Sequence, residues 1–177
     1  IPYSKQYIDK NDIKNVAKVL RSKFLTTGPE VPIFEKLINK NCNSKYSIAV
    51  NSATSALHIA CLALGLKKND IVWTTPISFV ASANCAKYCG AKVDFVDIDI
   101  DTFNLCPLKL EEKLKKTKKK YLPKIVIPVH LGGQSCDMGK IYSLSKKYKF
   151  KIIEDASHAI GGKYRNNKVG NCKYSDV

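Results

Sequence analysis

Arginine is nearly missing from this 177-residue chain: of 30 basic residues 28 are Lys, leaving only Arg21 and Arg165. The planar guanidinium fork carries out most base and phosphate reading, so its scarcity argues against a dedicated nucleic-acid module despite a net charge of +15. The lysines are scattered, with one cluster at Lys115-Lys116-Thr117-Lys118-Lys119-Lys120, and they accompany abundant Asn and Ile. A solvated lysine-rich surface is expected, with at most weak, non-specific attraction for polyanions. A basic α/β module that binds nucleic acid is the rival of a different class. It would need clustered Arg and exposed aromatics.

Other absences narrow the field. No apolar run approaches the length of a membrane span, and Ile1-Pro2-Tyr3-Ser4-Lys5-Gln6 lacks the apolar core of a signal peptide. A cytoplasmic protein is therefore the expectation. The seven cysteines are odd in number and contain no Cys-x-x-Cys, so neither a disulfide framework nor a zinc site is indicated. Cys85 and Cys89 share one helix face without a second ligand pair. Neither Gly-x-Gly-x-x-Gly nor a Gly-Lys-Ser/Thr phosphate loop occurs.

What is present is an alternation. Amphipathic helices are expected over Asp9–Phe24, where Asp9 or Asp12 can cap, and over about Val31–Lys40. Strands follow at Tyr46–Val50, Asp70–Thr75, Val93–Asp97, Lys124–Val129 and Lys151–Glu154. Between them come helices at Ala53–Leu64, Ser78–Tyr88, Pro107 to about Lys120, and one capped by Asp137. The first of these four has almost no charge and is expected to be buried on most sides. Strands alternating with helices predict an α/β fold with a mostly parallel sheet and flanking crossover helices in one domain.

Ligands of open α/β sheets bind just beyond the carboxyl ends of strands. Three such ends stand out. Asn51-Ser52-Ala53-Thr54-Ser55 places backbone N–H groups and hydroxyls at a helix N-terminus, suited either to phosphate or simply to capping. Thr74-Thr75-Pro76-Ile77-Ser78-Phe79 presents hydroxyls and an aromatic, Phe79, that is either core or a stacking platform. Ile152-Ile153-Glu154-Asp155-Ala156-Ser157-His158 delivers an acid, with a histidine three residues on. Asp155 could be a mere cap and His158 a packed ring. Together, though, a phosphate cradle, a ring and a carboxylate are what pyridoxal 5'-phosphate requires: anchored phosphate, sandwiched ring, and a protonated ring nitrogen paired with an acid. That cofactor also needs a lysine.

In this order, Ile1–Gln6, Val19–Pro29, Asn51–Leu57, Thr74–Asn84, Val129–Met138 and Glu154–Gly161 resemble the DegT/DnrJ/EryC1/StrS family of sugar aminotransferases. The resemblance implies the large domain of fold type I (aspartate aminotransferase-like), truncated, with residues 1–177 forming an N-terminal arm and part of the cofactor-binding domain. It implies that Ala53 and Thr54 hold the phosphate, Phe79 stacks on the ring, Asp155 pairs with the pyridinium nitrogen and His158 contacts the phenolic oxygen. Tyr3, Lys23, Phe24, Leu25 and Thr26 would line a nucleotide-sugar pocket. The implied activity is transfer of an amino group from L-glutamate to the 4-keto carbon of a nucleotide-linked, expectedly UDP-linked, 6-deoxy hexulose, in pseudaminic acid or related surface-sugar synthesis by a homodimer. Sugar dehydratases and 3-aminotransferases of the same family are the nearer rivals. The family's Schiff-base lysine falls shortly after the segment matching Tyr174-Ser175-Asp176-Val177, so the chain is expected to be an N-terminal fragment that does not catalyse by itself.

Overall fold

In the computed structural model, which describes residues 5–177, four parallel strands form the sheet: β1 (Ile71–Thr74), β2 (Lys92–Phe95), β3 (Ile125–Ile127) and β4 (Lys151–Ile152). Their spatial order is β2-β1-β3-β4. Val72 pairs with Val93 on one side and with Ile125 on the other, and Val126 pairs with Ile152. The chain steps outward from β1 to β2, then returns past β1 to place β3 on its far side. The strand order therefore reverses between β1 and β3. At that point the two crossovers diverge and leave a crevice at the carboxyl ends.

Side chains alternate across the strands with period two. Val72, Ile125, Ile127 and Ile153 pack under helices α3 (Ala53–Ala63) and α4 (Ala81–Tyr88). Trp73, Val126 and Ile152 face α5 (Pro107–Lys116) and α6 (Met138–Tyr148), against Leu110, Leu114, Met138 and Ile141. Burial on both faces explains why β1 and β3 read as apolar runs, whereas the edge strand β2, Lys-Val-Asp-Phe, alternates and is mostly exposed. Both α3 and α4 end in the same way. Leu66 N–H bonds to Cys61 C=O and Gly65 N–H to Leu62 C=O, and Ala91 and Gly90 repeat the pattern on Ala86 and Lys87. This six-to-one plus five-to-two pairing needs a left-handed residue, supplied by Gly65 and Gly90, each at φ +72°.

The two leading helices, α1 (Lys10–Leu20) and α2 (Glu30–Cys42), lie outside the core. Asp9 and Asp12 cap α1 jointly: Asp9 accepts from the N–H groups of Asn11 and Asp12, and Asp12 accepts from the N–H of Asp9 at 2.8 Å. Its apolar stripe, Ile13, Val16 and Leu20, stays exposed. Tyr46–Val50, expected as a strand, forms no ladder; it is tied to α2 by Ala49 N–H to the Glu35 carboxylate at 2.8 Å and by Ser47 Oγ to Asn39 Oδ1 at 2.5 Å. A strand exists only by pairing, and no described strand lies beside this run. Helix α3 is also less buried than its composition suggests: Leu57, Ala60 and Cys61 are covered, while Ile59 and Leu62 remain exposed. After β4 comes a hairpin not anticipated from sequence, β5 (Lys163–Tyr164) against β6 (Asn167–Lys168), turned by Arg165 at φ +52°.

The lysine cluster is partly neutralised where it borders α5. Lys115 pairs with Glu111 at 3.0 Å and Lys116 with Glu112 at 2.6 Å, one helical turn apart. All seven cysteines are free. Contact with Cys85 together with burial pushes the Cys61 thiol up, and burial pushes Cys136 up to about 12. These thiols serve as small apolar filler. No described helix is long and apolar enough to cross a membrane.

Two predictions concern the core. Leu110 is wholly buried and Leu108 is 71% exposed, so Leu110→Ala should cost about 2–5 kcal/mol and Leu108→Ala less than about 0.5 kcal/mol in urea unfolding. Equal costs would place the core elsewhere. At Asp70 partial burial works against ionisation, but the hydrogen bond and charge of Lys124, at 2.8 Å, and the Lys67 N–H hold its carboxyl below the usual value. A depressed folded value gives stability that is present above the unfolded value and is lost as pH falls through the folded one. Lys124→Met should therefore flatten the acid limb of a stability-versus-pH curve, and an unchanged limb would contradict the pairing.

Candidate functional site

The crevice at the strand-order reversal is a cleft of about 610 Å³ lined by four segments of the chain. Helix α3 contributes Ala53, Thr54 and Leu57; the β1–α4 connection gives Ser78 and Phe79; the loop after β3 gives Val129 and Leu131; the turn after β4 gives Asp155, Ser157 and His158. Thus Ala53, Thr54, Phe79, Asp155 and His158, chosen on sequence grounds, are brought to one cavity. Lys23, Phe24, Leu25 and Thr26 are not among its lining residues; they form an exposed turn after α1, with Ser22 Oγ donating to Phe24 C=O. Tyr3 lies outside the described residues.

One end of the cleft is a donor surface. The N-cap is Ser52, whose hydroxyl accepts from Ser55 N–H at 3.2 Å, and Ser55 Oγ donates to Asn51 Oδ1 at 2.7 Å. Ser52 C=O takes Ala56 N–H. Among the described residues, the first-turn N–H groups of Ala53 and Thr54 and the Thr54 hydroxyl have no partner. Unpaired donors at the start of an eleven-residue helix favour an anion. So Asn51, Ser52 and Ser55 cap the helix, and Ala53 and Thr54 are left for a ligand.

The other end is an acceptor. Asp155 is only 6% exposed, and its backbone is clamped by His130 N–H to Asp155 C=O and Asp155 N–H to Pro128 C=O, both at 3.0 Å. Its carboxylate accepts from Ser82 Oγ at 2.8 Å, Ser157 Oγ at 2.7 Å and Ser157 N–H at 3.3 Å. Among the described residues no Lys, Arg or His pairs with it. A buried anion without a cation is costly unless a ligand supplies one.

The walls between these ends are apolar, and the Phe79 ring is 72% exposed, open for stacking. Beneath the floor, His130 is completely buried. Its Nδ1 accepts from Cys136 N–H at 3.1 Å, which leaves Nε2 to donate to Glu154 Oε1 at 2.7 Å. Ser175 Oγ donates to the other oxygen of Glu154 at 3.0 Å. Val177 runs parallel to β4, its N–H on Ile152 C=O and its C=O accepting from Glu154 N–H. This network fixes both strand ends that carry the cleft.

Anion donors, a flat apolar span and a carboxylate awaiting a cation fit pyridoxal phosphate: Ala53 and Thr54 toward the phosphate, Phe79 toward the ring and Asp155 toward the ring nitrogen. No lysine lines the cleft. Sequence reading missed Ser82 and Ser157 as partners of Asp155. Ser157 was recoverable, because Asp-x-Ser is an Asx-turn pattern. Ser82 reaches across 73 residues and gave no local signal.

Comparison with known proteins gives a consistent result. Residues 6–176 match the DegT/DnrJ/EryC1/StrS aminotransferase family. The chain is 44% identical over 170 residues to the UDP-4-amino-4,6-dideoxy-N-acetyl-beta-L-altrosamine transaminase of Campylobacter jejuni subsp. jejuni serotype O:23/36 (strain 81-176), covering 96% of this chain and 44% of that protein. Helicobacter pylori PseC, an aminotransferase involved in pseudoaminic acid biosynthesis, superposes with TM-score 0.85 at 35% identity, covering 96% of this chain and 44% of that one. The sugar aminotransferase Spr1654 of Streptococcus pneumoniae in its PMP form gives TM-score 0.89 at 28% identity, with coverages of 96% and 45%. The chain thus spans less than half the length of these relatives.

Loop packing over the cleft makes its own prediction. Gly133 has φ +89°, and a Cβ there would lie 2.9 Å from His158 C=O, whereas Gly132, at φ +61°, meets nothing within 4 Å. Gly133→Ala should destabilise by roughly 1–3 kcal/mol and by more than Gly132→Ala, as read by urea unfolding. Equal effects would mean that the Leu131–Gly133 turn does not pack on the His158 segment.

Proposed function

This chain belongs to the DegT/DnrJ/EryC1/StrS aminotransferase family, and we propose that it forms the arm and much of the cofactor domain of a pyridoxal-phosphate-dependent nucleotide-sugar transaminase. The proposed reaction moves an amino group from L-glutamate to the 4-keto carbon of a UDP-linked 6-deoxy hexulose. Similarity to the altrosamine transaminase and to PseC supports that substrate class and a place in pseudaminic acid or related surface-sugar synthesis. When bound, the cofactor supplies an electron sink for the carbanion formed at the amine-bearing carbon.

The chain's own residues have separable tasks in this reading. Ala53 and Thr54 donate to the phosphate. Phe79 covers one ring face and excludes water. Asp155 holds a proton on the ring nitrogen, and His158, exposed at the cleft rim, contacts the phenolic oxygen. The lysine that transamination requires is not among the cleft residues. Lys23, Phe24, Leu25 and Thr26, with Tyr3, are proposed for the sugar nucleotide, their turn meeting it outside the cofactor cleft. A cytoplasmic homodimer is part of this reading, and the exposed apolar stripes of α1 and α2, with Ile13, Val16, Leu20, Phe34 and Leu37, support burial of more surface than this chain covers alone.

The observation that carries the reading is the buried Asp155 carboxylate, with no cation among the described residues, facing unpaired N–H donors across an apolar cleft. Asp155→Asn in the intact protein should lower kcat for glutamate-dependent amination of the UDP-4-keto sugar by roughly 10²–10³-fold. Full turnover in this variant would sink the assignment.

A further inference from the structure

Asp155 is the end of a chain of hydroxyls that begins beside Phe79. Ser82, 1% exposed on α4, lies 2.8 Å from Asp155 Oδ2 and 2.7 Å from Ser78 Oγ. A carboxylate can only accept, so the single Ser82 hydrogen is committed to Asp155. Ser78 must then donate to Ser82, rather than to Phe79 C=O at 3.2 Å, which it also reaches. The direction is thereby fixed as Ser78 to Ser82 to Asp155, and each link polarises the next.

The acceptor sites on Asp155 can be counted. Two carboxylate oxygens offer about four lone-pair sites. Ser157 N–H and Oγ fill those on Oδ1, and Ser82 Oγ takes one on Oδ2. One site remains, and it is on the oxygen that Ser82 already holds. Resting on the pyridoxal phosphate reading, we propose that Ser82, backed by Ser78, is a positioning residue that presents Oδ2 to the ring nitrogen and keeps the shared proton on the ring. Its O–H draws charge from Oδ2 and so weakens that oxygen's hold on a proton arriving from the other side. Because Ser78 adjoins Phe79, and Ser82 N–H also bonds to Phe79 C=O at 3.2 Å, the same relay ties the stacking ring to the carboxylate.

Other titratable groups around Asp155 are few. Cys85 faces it from α4, and His158 follows on its own turn. His130 and Glu154 pair with each other on the opposite face of the strand end. Neither Cys85 nor His158 donates to Asp155, so the relay is the only set of donors reaching Oδ2 among the described residues.

The test follows the ¹⁵N resonance of ring-labelled pyridoxal phosphate bound to the intact protein, as a function of pH. The wild-type ring should stay protonated well above neutral pH. At neutral pH Ser82→Ala should shift the ring ¹⁵N resonance toward its unprotonated position as the shared proton moves onto Oδ2, Ser78→Ala should move it less in the same direction, and Ser82→Thr, which keeps a hydroxyl, should restore it. A structural role alone would leave the resonance unmoved while lowering Tm. If Asp155→Asn abolishes ring protonation but Ser82→Ala and Ser78→Ala both match wild type, the relay is refuted and the cofactor assignment stands. An unprotonated ring in the wild-type protein would overturn both. Should Ser82→Ala fail to fold, the Ser78→Ala resonance at neutral pH decides.

Discussion

A negative charge buried without a positive one is the constraint around which this chain is arranged. Asp155 keeps 6% of its surface, and burying an unpaired carboxylate costs several kcal/mol unless hydrogen bonds and a partner compensate. The fold supplies the hydrogen bonds: two serine hydroxyls, one of them on a helix 73 residues away, and one backbone N–H. Among the described residues it supplies no cation. The residual cost is then available as differential affinity for a ligand that brings a positive charge to that point.

The geometry that makes this possible is topological. Because β2 and β3 lie on opposite sides of β1, the connections leaving β1 and β3 part, and the carboxyl ends of β1, β3 and β4 open onto one cleft. Helix α3, packed on α4 across the same sheet face, points its N-terminus there. Three short connections and one helix end thus meet at a point that no single stretch of sequence could build. Beneath it, the Val129–Asp155 bridge and the His130–Glu154–Ser175 network hold the loops to the strands. Long insertions in such connections would be tolerated elsewhere on the surface, but not where backbone N–H and C=O groups lock adjacent strand ends together.

Much of this was legible from residue order because the deciding signals are local. Apolar runs on a sheet covered on both sides, Gly65 and Gly90 after helices, and Asp137 before α6 all act within a few residues. The acid and the ring at the strand ends were visible for the same reason. What was not legible is non-local. Tyr46–Val50 has strand composition but no described neighbour to pair with, and helix α3 reads as buried on most sides until one knows that Ile59 and Leu62 face outward. The helix expected from Ser78 begins only at Ala81, and Ser78 instead donates its hydroxyl to Ser82. Ser82 itself reads as one more small residue on an apolar helix. Its partner could be found only once the sheet had been assembled.

If the cleft holds a phosphorylated pyridinium in one orientation, a crystal structure of the intact protein grown with pyridoxamine phosphate will show it. The phosphate should lie on the N–H groups of Ala53 and Thr54, the ring against Phe79, and the ring nitrogen within hydrogen-bond distance of Asp155 Oδ2. A cofactor bound with its phosphate toward Asp155, or bound outside this cleft, would contradict it.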